Sequence, residues 1–430
     1  MSSKQEPKGM QPTAKRKLLP RLRFPEFRDA GKWEEKTIGD SCDTFSGGTP
    51  NTSNKEFYGG TIPFIRSAEI DKVQTELFLT NEGLINSAAK MVRRGDILVA
   101  LYGANSGDVA LSKIEGAINQ AILCLRHENN NVFVYQYLAR KKSWIISTYI
   151  QGGQGNLSGE IVKSVKLFFP HPREQQKIAG CLASIDDLIT LETQKLDALR
   201  SHGKGLMQQL FPAEGQTLPQ LRFPEFRNAG EWEEKGLGEL LEFKNGINAS
   251  KEQYGRGTKF INVLDILQNE FITYEKIIGS VDISDSMVEK FSVNYGDILF
   301  QRSSETQEEV GTASVYLDKE RTSTFGGFVI RGKKIGKYEP TFLNKLLKSQ
   351  HIRNSISSKS GGSTRFNIGQ ESLSAVKIFL PSTQEQKKVA DCLTSLDESI
   401  ALQAQKIDAL KLHKKGLMQQ LFPAVDEVSG

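Results

Sequence analysis

Cysteine and histidine are scarce in this chain, with four of one and five of the other among 430 residues. Cys42, Cys124, Cys181 and Cys392 form no C-x-x-C pair and the histidines are scattered, so neither a zinc site nor a disulfide framework is expected. Long apolar runs are missing as well. No stretch of about 18 apolar residues occurs and the opening residues lack a signal-peptide core, which excludes a membrane span and leaves a reduced, cytoplasmic setting as the expectation. Four catalytic signatures are absent: the G-x-x-x-x-G-K-[ST] phosphate loop, the G-x-S-x-G elbow, the H-E-x-x-H helix and the Asn/Asp-Pro-Pro-aromatic tetrapeptide of amino-methyltransferases. No catalytic residue and no metal site is therefore expected. What remains is a globular composition, 38% hydrophobic and 25% charged, with a net charge of +5 that permits nucleic acid as a partner without demanding it. The length exceeds one ordinary core and suggests two or three domains.

The chain repeats itself. Glu174–Pro212 carries apolar residues at Ile178, Leu182, Ile185, Ile189, Leu196, Leu199, Leu206 and Leu210, in steps of four and three, with Glu192 and Gly203 in the vacant positions. Glu385–Pro423 repeats the stripe 211 residues later with Val389, Leu393, Leu396, Ile400, Ile407, Leu410, Leu417 and Leu421, and with Gln403 and Lys414 at the vacancies. A heptad stripe asks for a partner helix, and the chain supplies one itself. If the helices pack antiparallel, Glu192 and Gln403 form a polar layer that fixes register; the alternative is that both lean out to solvent. Ser382 with Glu385 three residues on predicts a capping box, and Gly203 with Gly205 a bend.

A lead-in segment recurs as well. Leu19–Asp40 returns as Leu218–Glu239, shifted by 199, so a unit of lead-in, variable globule and long helix occurs twice, the second longer by twelve residues through an insertion between the repeated frames. The expected layout is a disordered basic arm (1–17), a globule (18–171), a helix (172–212), a second globule (213–382), a second helix (383–423) and a tail (424–430). Gly95-Asp96-Ile97-Leu98 and Gly296-Asp297-Ile298-Leu299 predict turns that feed buried strands. Further strands are expected at Ile62–Ile65, Ala121–Leu125, Lys259–Val263 and Gly327–Ile330, and helices at Val132–Ser147 and Pro340–Ile356. The fold class is mixed α/β: two pseudo-equivalent α/β domains joined by two long antiparallel coiled-coil helices.

Loops rich in Gly, Ser, Thr, Asn, Gln and Arg can offer amides to phosphates and polar forks to base edges. The candidates in the first globule are Thr49, Asn51, Arg66, Ser67, Tyr102, Asn105, Ser106, Gln151 and Gln154; in the second they are Lys244, Asn245, Arg302, Ser303, Thr364 and Arg365. Glu26 with Glu34-Glu35-Lys36, and Glu225 with Glu233-Glu234-Lys235, imitate a metal nuclease, but these acids surround an aromatic cluster rather than end a central strand. A charged connector is the reading preferred.

The doubled lead-in L-R-F-P-E-F…W, the two G-D-I-L landmarks, the Gly-rich loops ending in Asn156-Leu157 and Asn367-Ile368, and the helices that start E-Q-(Q/K)-K and end G-L-M-Q-Q-L-F-P together resemble the DNA-specificity subunit of type I restriction-modification systems. The resemblance covers Leu18 to Pro423; Arg302–Val310 departs from the Tyr-Gly-containing loop of many relatives. It implies two target-recognition domains, each reading half of a split double-stranded DNA sequence, with the helices as spacer and as dock for two methyltransferase subunits. Those partners bring S-adenosylmethionine, and restriction-translocase subunits bring ATP and Mg2+, leaving this chain non-catalytic and without a cofactor. The alternative is a coiled-coil scaffold that binds protein or carbohydrate without DNA specificity.

Overall fold

Capping chemistry sets where the two long helices begin. They run from Pro172 to Leu210 and from Thr383 to Leu421, 39 residues each. Ser382 Oγ accepts the amide of Glu385 at 3.3 Å and caps the second helix. The Glu385 carboxylate does not complete a capping box, because Arg222 takes it through Nε and Nη2 at 2.7 and 2.8 Å and Trp232 Nε1 donates to it at 3.3 Å. Arg23 clasps Glu174 in the same bidentate way, at 2.7 Å through both nitrogens. Both carboxylates are buried, so each arginine pins a lead-in segment to the first turn of a long helix.

The computed structural model describes residues 19–149 and 156–423; the expected basic arm and tail, with Gln151 and Gln154, lie outside the described residues. The chain divides into two compact units, residues 1–193 with 405–430, and residues 194–404. Each unit therefore holds half of each long helix.

The first unit is built on a four-stranded antiparallel sheet in the order Cys42–Ser46, Ile122–His127, Ile97–Ala100, Val109–Leu111. Gly95, at φ 90°, turns the chain into Ile97–Ala100, every residue of which is buried. Ile97 and Val99 face a core shared with helix Asn131–Tyr149, while Leu98 and Ala100 face a second core. That second core underlies a mixed sheet ordered Leu77–Leu79, Tyr58–Ile65, Gly116–Ile118, Lys90–Val92. A ribbon of Glu34–Thr37 and Lys166–Phe169 closes the unit. Ile178 and Leu182 of the first long helix and Leu421 with Phe422 at the end of the second join the core around Trp33, where Phe422 lies 4.4 Å from Tyr137 by ring centroids. Side chains buried so completely contribute about 1.5–3 kcal/mol each.

The second unit repeats this plan. Its main sheet runs Leu241–Asn245, Val329–Lys334, Ile298–Gln301, Ala313–Val315, beside a small mixed sheet of Ser280–Val281, Tyr254–Ile261 and Thr324–Phe325 and a ribbon of Glu233–Gly236 with Lys377–Leu380. Strand pairing fixes which residues correspond. Cys42 matches Leu241, Ile65 matches Ile261, Ile97 matches Ile298, Leu111 matches Val315 and Ile122 matches Val329. The offset thus runs 199, 196, 201, 204 and 207 before reaching 211 in the long helix, so the twelve extra residues are a net of one loss and several gains rather than one insertion.

Three expected elements differ, the first being the strand expected over Gly327–Ile330, which begins only at Val329 after a turn. The strand expected to reach Val263 ends at Ile261, because Asp265 Oδ2 accepts the Asn262 amide at 2.7 Å and starts helix Val263–Gln268. The helix expected over Pro340–Ile356 is two, Pro340–Lys348 and Gln350–Ser358, separated at Ser349, whose backbone is extended and whose Oγ donates to Leu346 O at 2.6 Å.

Within each unit the halves of the long helices run antiparallel. In the first, Asp186 meets Lys414 and Glu192 meets Lys406, advancing along one helix while retreating along the other. Ile178, Leu182 and Ile407 are buried there, and Ile185, Ile189 and Leu410 half-buried. In the second unit Leu196, Val389 and Leu393 are buried, with Leu199, Leu396 and Ile400 half-buried. A side chain on Gly203 would approach Leu396 Cδ2 to 3.3 Å, so the glycine admits Leu396, and the helix continues through Gly203 and Gly205 to Leu210. Gln403 is buried, and Glu192 is largely enclosed beside Lys406.

Candidate nucleic-acid interface

At one end of each main sheet, the strand termini and two loops are tied by the same main-chain bonds. In the first unit Leu101 N donates to Ala121 O at 2.8 Å, Leu157 N to Leu101 O at 2.8 Å, and Gly107 N to Ala100 O at 2.8 Å. In the second Arg302 N donates to Phe328 O at 2.9 Å, Ile368 N to Arg302 O at 3.0 Å, and Gly311 N to Gln301 O at 2.8 Å. Leu101 thus corresponds to Arg302, and Ala121 to Phe328. One scaffold presents different side chains, and this end carries most of the residues singled out in the sequence.

In the first unit Thr49 is exposed and its Oγ1 donates to Gln120 Oε1 at 2.6 Å, which holds the exposed Gln120 amide in place. Asn51 is exposed but its Oδ1 accepts the Ser53 amide at 3.0 Å, so part of its capacity holds the turn. Tyr102 and Asn105 sit in the loop between the paired strands, Tyr102 exposed and Asn105 half-buried. Ser106, expected to meet DNA, is buried: its Oγ donates to Leu101 O at 2.9 Å and accepts from Leu157 N at 3.3 Å, so it supports the loop instead. Arg66 is likewise taken up. Glu69 and Glu76 both bind its guanidinium and raise its pKa, and its own amide donates to Glu69 Oε2 at 3.1 Å to cap the helical turn Ser67–Glu69. A neutralised arginine on a capped turn offers little to a base edge, and Ser67 serves in that turn.

In the second unit Lys244 leans back onto its own domain, donating to Lys290 O at 3.0 Å and lying 4.5 Å from the centroid of Phe291; burial, with Arg331 and Lys290 near, pushes its pKa down. Asn245 ends its strand beside Ile330. Arg302 spends one Nη1 hydrogen on Gly327 O at 3.3 Å and, among the described residues, forms no ion pair. Ser303 pairs with Asn367 through backbone and side chain, which ties the Arg302 loop to the segment of Thr364 and Arg365. Both of those are exposed, and Arg365 stands 3.9 Å from Glu305 in a loose surface pair. Sequence reasoning missed Gln120, Asn248, Leu264 and Phe328. Phe328 was absorbed into an expected buried strand, although the preceding Gly326-Gly327 pair signals a turn.

The nuclease-like acids are scattered over separate lysines. Glu26 pairs with Lys177, Glu35 with Lys166 and Glu34 with Lys36, and the second unit repeats this with Lys388, Lys377 and Lys235. Among the described residues no group of three or more His, Cys, Asp or Glu is placed to hold a metal, and no helix is long and apolar enough to cross a membrane.

Comparison with known proteins agrees with this duplicated plan. The family described as "Type I restriction modification DNA specificity domain" matches residues 30–201 and 229–412. The type I restriction enzyme MjaVIII specificity subunit of Methanocaldococcus jannaschii is 24% identical over 419 residues, 93% of each chain. The EcoR124I/EcoR124II specificity subunit of Escherichia coli is 27% identical over 177 residues, 39% of this chain and 44% of that one. The fold is that of the type I restriction-modification S subunit from M. genitalium, with a TM-score of 0.57 at 16% identity over 95% of this chain and all of that one. A chain from a study of assembly of the type I R-M system gives 0.58 at 16% identity, over 91% and 98%.

Proposed function

The chain belongs to the type I restriction-modification DNA specificity family, and on that premise we propose that each unit reads one half of a bipartite, asymmetric site in double-stranded DNA. The paired helices set the spacer between the half-sites and dock two methyltransferase subunits. Those subunits bring S-adenosylmethionine and modify each half-site, and restriction-translocase subunits with ATP and Mg2+ act on unmodified DNA. The chain itself contributes recognition and no covalent step, in the cytoplasm where such DNA lies.

The observation that supports this reading is the pair of sheet ends with one hydrogen-bonded scaffold and different side chains: exposed Thr49, Gln120 and Tyr102 in one, and half-buried Arg302 with exposed Arg365 and Phe328 in the other. Two readers of unlike half-sites need a common docking geometry and unlike donors and acceptors, since groove edges distinguish base pairs by those groups. Inserting one heptad after Leu191 and another after Leu402 tests the spacer role. At 1.5 Å per residue each helix gains about 10 Å, so methylome sequencing should return the same half-sites with a spacer longer by about three base pairs. An unchanged spacer would refute the ruler. Binding to duplex that does not weaken as salt rises would instead favour a scaffold without DNA specificity.

A further inference from the structure

Phe328 is 64% exposed at the mouth of its strand, and Leu264, 61% exposed, stands across a pit of about 230 Å3 whose third large rim residue is Tyr254, 46% exposed. The pit is floored by Gly326 and Gly327, and a side chain on Gly327 would collide with Asn248 Oδ1 at 1.8 Å, so the floor stays open only with glycine. The fold does not require this apolar rim. Strand pairing places Ile65 opposite Ile118 and Ile261 opposite Phe325, which aligns Leu264 with Ala68; Phe328 aligns with Ala121 by its bond to Arg302. The first unit therefore carries alanine at both positions on the same scaffold. Beside the pit, Arg302 donates to Gly327 O, which leaves the rest of its guanidinium fork without a carboxylate among the described residues.

We propose that Phe328, Leu264 and the pit between them receive the 5-methyl group of a thymine in the major groove, with Arg302 directed at the neighbouring phosphates or guanine edge. This rests on the reading of the chain as a DNA reader. The thymine methyl is the one apolar group that the major groove offers, Phe is among the side chains that contact it, and Arg pairs with the guanine acceptors next to it. The adjacent unpaired cation favours a polyanion over an apolar peptide as the occupant. Phe328 and Leu264 are thus specificity-determining residues of the second unit, and the first unit carries Ala68 and Ala121 at the matching positions.

The test uses the full-length chain in complex with its methyltransferase subunit and duplexes that carry the recognised site, each thymine replaced in turn by deoxyuridine, which deletes only the methyl. The wild-type complex should bind about fourfold more weakly at one thymine, the effect of one apolar carbon leaving a pocket. Leu264→Ala with Phe328→Ala should bind thymine and deoxyuridine equally there while its response at every other thymine is unchanged, which also reports that the variant is folded. Phe328→Ala alone should give an intermediate ratio. A wild-type complex indifferent to methyl removal everywhere, or a double variant that still discriminates, overturns the pocket while leaving DNA recognition standing. Failure of the wild-type complex to prefer any duplex sequence overturns the DNA reading itself.

Discussion

Asp186 and Asp397 occupy equivalent places on the two long helices, yet each takes its lysine from a different element. Asp186 is held by Lys414 of the second helix at 2.6 and 2.7 Å, with the Gln136 amide donating at 2.7 Å from helix Asn131–Tyr149. Asp397 is held by Lys345 of helix Pro340–Lys348, which also binds Glu270 at 2.6 Å. Trp33 touches Phe133 and Trp232 touches Phe342, which aligns Gln136 with Lys345. The position matching Lys414 is Gly203. One lysine per aspartate is kept, but in one unit it sits on the helix seam and in the other on the domain. The two units are therefore repeats in backbone and charge balance, and individuals in which side chain does the holding.

The sharpest way to break this likeness is at the arginine clasps. Arg23→Ala leaves the buried Glu174 unpaired and should cost the first unit about 3–5 kcal/mol. Arg222→Ala should cost the second unit less, because Trp232 Nε1 still donates to Glu385, whereas Trp33 Nε1 has no partner among the described residues. Unit-resolved hydrogen exchange measures both, and equal losses would refute the role given to Trp232.

The lysine exchange comes next. Lys345→Gln should destabilise the second unit by about 2 kcal/mol, and Lys414→Gln the first by about 1, because the more deeply buried Lys345 serves both Asp397 and Glu270 while Asp186 keeps the Gln136 amide. Gly203→Lys combined with Lys345→Gln transplants the first unit's arrangement and should recover at least half of the loss from Lys345→Gln alone, as read by thermal unfolding. A double variant no more stable than the single would show that the two arrangements are not interchangeable.

The smallest effect is a difference in pH response. His127 is stacked on Phe169 with centroids 5.1 Å apart, its Nδ1 accepts the Asn130 amide at 3.0 Å, and burial lowers its pKa below 6.5. The neutral ring is favoured in the folded chain, so its stabilisation is full above pH 6.5 and is lost as pH falls below that. Lys334 stands at the matching place in the second unit, where burial raises the Asp297 pKa above 3.8. Protonating Asp297 relieves a buried charge, so acid favours the folded second unit through this group, opposite in sign to His127 in the first. Once exchange rates are corrected for the intrinsic amide rate, which itself falls on acidification, protection in the first unit should drop between pH 7 and 5, and His127→Gln should remove that drop.

The seam, the doubled lead-in and the glycine turns were legible because period, repetition and positive φ are written in residue type. The two G-D-I-L turns fold as their glycines suggest, at φ 90° and 91°. What stayed hidden is decided by partners far along the chain. Arg66 looks like a base reader until Glu69 and Glu76 are seen around it, and Ser106 looks like a loop donor until Leu157 is seen to need it. The break at Ser349 has no proline or glycine to announce it. The capping pattern Asn262-x-x-Asp265 was visible and would have ended the preceding strand in the right place.

Because the second long helix from residue 405 onward belongs to the same compact unit as the first globule, that globule cannot be completed until this helix has been made. Trp33, Phe133 and Tyr137 wait for Phe422 while the whole second unit is translated. At 5–20 residues per second that delay is on the order of ten to forty-five seconds, during which the nascent first reader shows an open aromatic face to the cell. Assembly order on the ribosome thus makes the later-made reader the earlier one to finish, and any chaperone that attends this chain should be found on its opening half.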